Sequence, residues 1–254
     1  MKKSLTIKRI TALILSVLLV LTTAATFAGC SGSDEYFNYR YRGSGDSKLA
    51  VITGLTERGR QQKVLVIPKY YNGRKVQVGE GAGTNMAFWR MTQPLRSDNL
   101  EKVFFSSSKI EVSSQVKIWD CANLTKIIMI DDEGSTSSWS KSGAANATIY
   151  IPEFIYEFRK NQEGSTVYPP ANIEYVLNYE EGVFWIDDVD YGDKIEFVPQ
   201  KPVRESYDFA GWYKETECIN KWIFEVDRLP NELFNEGGEV IYQKTKLYAK
   251  WQKK

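Results

Sequence analysis

Asn99-Leu100-Glu101-Lys102-Val103-Phe104-Phe105 and Asn123-Leu124-Thr125-Lys126-Ile127-Ile128-Met129 are two versions of one pattern, with Leu124 following Leu100 by 24 residues. An incomplete third copy, Thr148-Ile149-Tyr150-Ile151-Pro152, lacks the leading Leu and sets Ile149 22 residues after Ile127. Self-similarity at such a period marks repeat architectures. In each full copy the Leu and the third and fifth residues after it should face inward: Leu100, Val103 and Phe105, then Leu124, Ile127 and Met129. Strand alternation sends the intervening Phe104 and Ile128 outward. One unit is too short to bury its own apolar face, so the units must stack into a solenoid.

Upstream of the repeat, Phe37, Tyr39 and Tyr41 alternate with polar residues, as in a half-buried strand. Leu49 to Ile52 and Lys63 to Ile67 read as further strands, and Pro68 ends the second. Asn72-Gly73 predicts a hairpin, because both residues tolerate the positive φ angles of a type I′ turn. The Ser/Gly/Ala-rich stretch from Gly134 to Ala147 reads as a loop inside the repeat region.

These segments resemble the BspA-type leucine-rich repeats of bacterial surface proteins over residues 36–176, carried by VLVIPKYYNGRKVQVGEGA, NLEKVFF, VKIWDCANLTKIIM and ATIYIPEFIYEFRKN. The resemblance implies a buried structural Cys121 and a closing cap that runs to Asn172-Ile173-Glu174-Tyr175-Val176. Two departures stand out: Gly83 replaces the usual Phe, and Asn85 to Pro94 looks inserted.

In the rest of the chain, residues 177–254, stand Val189-Asp190-Tyr191-Gly192-Asp193-Lys194-Ile195, then Tyr207-Asp208-Phe209-Ala210-Gly211-Trp212-Tyr213, and a closing Leu247-Tyr248-Ala249-Lys250-Trp251. Through these motifs the segment resembles the internalin-type B-repeat (the Listeria–Bacteroides repeat), and the resemblance implies a small β-grasp-like domain. Tyr191-Gly192-Asp193 reads as a turn between strands, and Gly211 as a site of close packing beside a ring. Trp212, Trp222 and Trp251 supply apolar area to a domain too small for a deep core. Asp227 to Gln243 is longer than the pattern expects and has room for a short helix around Asn231 to Phe234. The expected fold is mainly β: a short leucine-rich-repeat-like solenoid followed by a β-grasp-like domain.

The front end has its own logic. Lys2, Lys3, Lys8 and Arg9 precede the apolar run Ile10 to Leu21, and Phe27-Ala28-Gly29-Cys30 follows. This order is that of a secretory signal, and the cysteine behind small residues resembles the lipobox of bacterial lipoprotein precursors, with Phe27 where Leu is usual. The resemblance implies export, cleavage after residue 29 and a lipid on Cys30. Residues 30–35 then form a lipidated tether. The rival reading is an uncleaved anchor, since about 20 apolar residues span a bilayer. The loss of hydrophobicity at Thr22 and Thr23 favours cleavage.

Composition narrows the function. The chain has no histidine, which rules out Ser-His-Asp and Cys-His catalysis and His-ligated zinc or haem. Beyond residue 29 the balance is 29 basic against 32 acidic residues, with no basic tract for nucleic acid. Cys121 and Cys218 do not make a disulfide framework and read as buried small hydrophobes. Asp187, Asp188, Asp190 and Asp193 cluster without EF-hand spacing and read as a solvated strand and turn. No cofactor or metal is expected.

The two resemblances together imply a non-enzymatic protein, held on the cell surface by lipid, that adheres to or binds a protein or glycan. A solute- or glycan-binding lipoprotein and a structural envelope component are the rivals. Exposed aromatics stack on sugars or anchor interfaces. Trp89, Trp119 and Trp139 lie in or near repeat loops, where they either fill gaps in an irregular core or serve as contacts, and Trp89 and Trp119 are the candidate binding surface.

Overall fold

A computed structural model describes residues 31–43, 48–78, 95–106, 111–112, 119–130, 144–163 and 167–254. The signal segment, Cys30, Trp89, Trp139 and the Asn85–Pro94 insertion lie outside the described residues. In chain order the strands are β1 (Ser31–Ser33), β2 (Phe37–Arg42), β3 (Leu49–Leu55), β4 (Val64–Ile67), β5 (Tyr70–Tyr71), β6 (Arg74–Val78), β7 (Leu95–Arg96) and β8 (Lys102–Phe105). They continue as β9 (Glu111–Val112), β10 (Trp119–Asp120), β11 (Lys126–Met129), β12 (Thr148–Tyr150), β13 (Ile173–Val176), β14 (Trp185–Asp187), β15 (Tyr207–Tyr213) and β16 (Thr245–Lys253). Two short helices, α1 (Glu57–Arg60) and α2 (Glu153–Arg159), complete the elements among the described residues.

The repeat spacing becomes the register of a parallel sheet ordered β12-β11-β8-β4. Lys126 lies beside Lys102, and Ile127 beside both Val103 and Ile149, so the 24- and 22-residue offsets are the steps from one rung to the next. Val64 also pairs with Lys102, which adds β4 as a rung ahead of the visible copies. A second wall has parallel pairs β3·β6, β6·β9 and β7·β10, with Trp119 beside Leu95 at the same step of 24. Between the walls, Leu65, Leu100, Val103, Phe105, Leu124, Ile127, Met129 and Ile149 form one core cluster. The inward positions expected from the repeat are therefore the buried ones.

An antiparallel meander of β1, β2 and β3 covers the first rungs. Ser31 to Ser33 were expected to be a free polar tether; β1 instead pairs with β2, with Ser31 opposite Arg40. The backbone groups of an exposed edge strand readily add another strand. At the hairpin, Asn72 and Gly73 both have positive φ, 48° and 70°, as its turn requires.

The array ends where Ile151 bridges Pro170 in parallel. The next residues, expected to close the repeat region, instead begin the last sheet, ordered β14-β13-β16-β15. β13 runs parallel to β16 and antiparallel to β14, and β15 is antiparallel to β16. Asn231 to Phe234 are not helical: Phe234 bridges Val240, and Ile241 N donates to the Leu233 carbonyl, which makes a small hairpin. Gly238, at φ 79°, supplies its turn.

Phe104 and Ile128 face away from the repeat core, as alternation requires, but they are covered rather than exposed to solvent. Both are 0 % exposed and belong to a second core cluster with Ile173, Tyr175, Trp185, Ile186, Ile195, Trp212 and Leu247. The C-terminal sheet lies against the outer face of the repeat sheet, and Phe104 packs on Trp185 and Phe197 at centroid distances of 5.0 and 4.7 Å. The two modules thus share a core. Full burial of one such side chain contributes about 1.5–3 kcal/mol relative to exposure.

Candidate functional site

Lys102 and Lys126 are register partners on neighbouring rungs, both on the outer face of the repeat sheet. The chain leaving β14 crosses directly over them. Lys102 Nζ donates to Asp187 Oδ1 at 2.6 Å and to the Asp188 carbonyl at 2.9 Å. Lys126 Nζ reaches Asp188 Oδ2 at 2.9 Å and Asp190 Oδ1 at 2.7 Å. The Asn172 side chain fixes this crossing: its Nδ2 donates to the Val189 carbonyl at 2.6 Å and its Oδ1 accepts from Val189 N at 3.1 Å. A second ionic link joins the modules where Lys244 pairs with Glu153 of α2 and with Glu174.

Burial raises the pKa of Asp187 and of Asp188, with Lys102 and Lys126 respectively pulling each back. Burial alone would lower Lys126, but Asp188 and Asp190 outweigh it and hold its pKa above the ordinary lysine value. The bond from Lys126 lowers Asp190. Burial and the nearby Asp188 push Tyr150 up to about 12. Asp187 Oδ2 and the Tyr175 hydroxyl are buried without a hydrogen-bond partner.

A cleft of about 450 Å³ opens beside the network, walled by Glu101, Thr125, Lys194, Glu196 and Arg228. Its two central lysines are already neutralised by aspartates. The arrangement is suited to holding two modules in register. The solvated-strand reading of the aspartates gives way for Asp187 and Asp188, which lie at 0 % and 8 % exposure because the repeat sheet covers them. Asp190 and Asp193 keep polar surroundings at the cleft.

The aromatic candidates are redistributed. Trp119 is 2 % exposed and meets Phe105 edge-on at 6.2 Å, so it fills the repeat core and offers no face to a ligand. β10 turns it inward because Trp119 pairs with the buried Leu95. Trp89 is outside the described residues. Cys121 and Cys218 are free buried thiols in different parts of the fold, and Cys121 Sγ donates to the Leu95 carbonyl at 3.0 Å.

Sequence reasoning passed over a groove on the C-terminal module, because its tryptophans read only as core. Trp212 and Trp222 are indeed buried, yet with Phe209, Phe224 and Pro199 they line a groove of about 360 Å³, edged by Lys221 and Glu225. The Trp222 indole N–H is buried without a partner, and Lys214 Nζ lies 5.5 Å from the Trp222 ring. The groove runs beside β15, the edge strand, whose register shifts between Phe209 and Gly211. Gly211, at φ 124°, packs against the stem of Lys221 rather than a ring; a Cβ there would come within 2.7 Å of Lys221 Cε. An apolar floor with charged rims takes up a side chain or a sugar face. The motif Gly211-Trp212-Tyr213 was the available signal.

Residues 172–250 match the family model of the Listeria-Bacteroides repeat domain, a repeat domain of surface proteins. The match opens at the residue before β13, where the last sheet begins. No curated protein matches this chain.

Proposed function

We propose that this chain is a lipid-anchored, non-enzymatic cell-surface protein that binds a protein or glycan ligand. The observation that carries the reading is the match of residues 172–250 to a repeat domain of surface proteins. The lipobox-like Phe27-Ala28-Gly29-Cys30 supports anchoring by lipid on Cys30. Parallel rungs at 24-residue steps support a leucine-rich-repeat-like solenoid in the first module. The strand order of the last sheet, with parallel centre and antiparallel flanks, supports a β-grasp-like second module. The ligand face is the groove over Trp212 and Trp222, since Trp119 is buried.

The test screens the mature chain carrying Cys30→Ser against arrays of glycans, mucins and matrix proteins. The expected result is a saturable hit that Val198→Asp and Lys221→Glu, both at exposed groove positions, abolish without lowering the melting temperature. A blank from folded protein overturns the binding reading. A hit that both variants retain overturns the groove as its site.

A further inference from the structure

Residues 36–78 carry nine Lys and Arg against two Asp and Glu, in a chain that as a whole is nearly balanced at 33 against 32. The fold gathers three of these charges at one end of the first sheet. Lys75 N donates to the Lys48 carbonyl, and Val76 N to the Lys69 carbonyl, so the backbones of three lysine-bearing segments adjoin there. All three lysines are exposed, and none has a carboxylate partner among the described residues. Tyr70, the register partner of Lys75, is 53 % exposed beside them.

The same end holds the start of the described chain. Tyr71 Oη donates to the Ser33 carbonyl at 2.9 Å, and its ring stacks on Tyr39 at 3.9 Å, which brings the β5–β6 hairpin against β1. Gly32 lies against the hydroxyls of Tyr41 and Tyr71, and a Cβ there would come within 2.4 Å of Tyr41 Oη. β1 is therefore fixed from Ser31 onward. Cys30 is one peptide bond away, about 3.8 Å between Cα atoms.

We infer that this lysine- and tyrosine-bearing end of the first sheet docks on an anionic phospholipid surface. The inference rests on the lipid-anchor reading for where the membrane lies. With Ser31 held in the sheet, a lipid on Cys30 leaves no slack, and the body of the protein meets the headgroups at its basic end. Lysines near an anionic leaflet are attracted within a Debye length, about 10 Å at 0.1 M salt. Tyrosine is suited to the headgroup level, where one end of the ring is apolar and the other wet.

The experiment uses the mature chain with Cys30→Ser, so that no lipid contributes. Its sedimentation is measured with vesicles of equal parts phosphatidylglycerol and phosphatidylcholine, and with phosphatidylcholine alone. Binding is expected only to the anionic vesicles, falling with salt. The triple variant Lys48→Glu, Lys69→Glu, Lys75→Glu should bind at least about tenfold more weakly with an unchanged circular dichroism spectrum. A single Lys75→Gln serves if the triple variant misfolds, with a smaller loss expected. Equal binding to both vesicles, no vesicle binding, binding only to a soluble polyanion, or undiminished binding by the variants each overturns the proposal. Mass spectrometry of the Cys30 peptide from cells tests the anchor separately. An unmodified Cys30 beside charge-dependent vesicle binding sinks the anchor reading alone, and a lipidated Cys30 beside absent binding sinks the docking alone.

Discussion

Lys102 Nζ lies 2.6 Å from Asp187 Oδ1 across 85 residues of sequence, and that contact joins the repeat sheet to the C-terminal sheet. The Asp187 side chain is 1 % exposed and that of Lys102 15 %. Removing one member of such a pair leaves the other charge buried and uncompensated. Lys102→Met is therefore expected to cost about 3–5 kcal/mol in urea unfolding. Adding Asp187→Asn to it should restore a large part of the loss. A double variant as unstable as the sum of the singles would show that the two side chains do not act as a pair.

The junction should also loosen in alkali. Lys126 has a raised folded pKa, so its contribution is complete below the ordinary lysine value of 10.5 and is lost as pH rises through the folded value. The stability difference between the native chain and Lys126→Met is expected to stay constant from neutral pH to about 10 and to shrink above it. Denaturant titrations over that range measure it; a difference that persists in strong alkali would exclude the charge of Lys126 as its source.

Phe104 and Trp119 should behave alike in stability and differently in spectrum. Each is fully buried, and replacement by Ala is expected to cost about 3–5 kcal/mol. Phe104 packs on Trp185 of the second module, so Phe104→Ala should shift tryptophan emission to the red as that ring gains water. Trp119→Ala removes a ring seated on Phe105 in the first core, and should leave the junction bands in near-ultraviolet circular dichroism unchanged. Near-native stability of Trp119→Ala would return that residue to the list of surface candidates.

The inward residues of the repeat, the Asn72-Gly73 turn and the C-terminal likeness could all be read locally. Each rests on periodicity, on a backbone preference at one or two positions, or on a short motif. The burial of Phe104 and Ile128 had a partial signal as well. Val103-Phe104-Phe105 and Ile127-Ile128-Met129 are unbroken apolar runs, as in strands covered on both faces. Nothing local told Asp187 from Asp193, since both sit in one acidic stretch and only one meets a lysine beneath it. Trp119 stood as a binding candidate because it lies in or near a repeat loop, whereas its direction is set by pairing with Leu95.

By itself the sequence determined the repeat strands, the spacing at which they stack and where the second module's signature residues fall, because those depend on neighbours within one rung. Only the tertiary structure decided that the second module covers the outer face of the repeat sheet. It also decided that two lysines and two aspartates become buried partners there, and that Ser31 to Ser33 join the sheet instead of trailing as a tether. The physical reason is that alternation divides a strand's residues between two faces without saying what will lie against either.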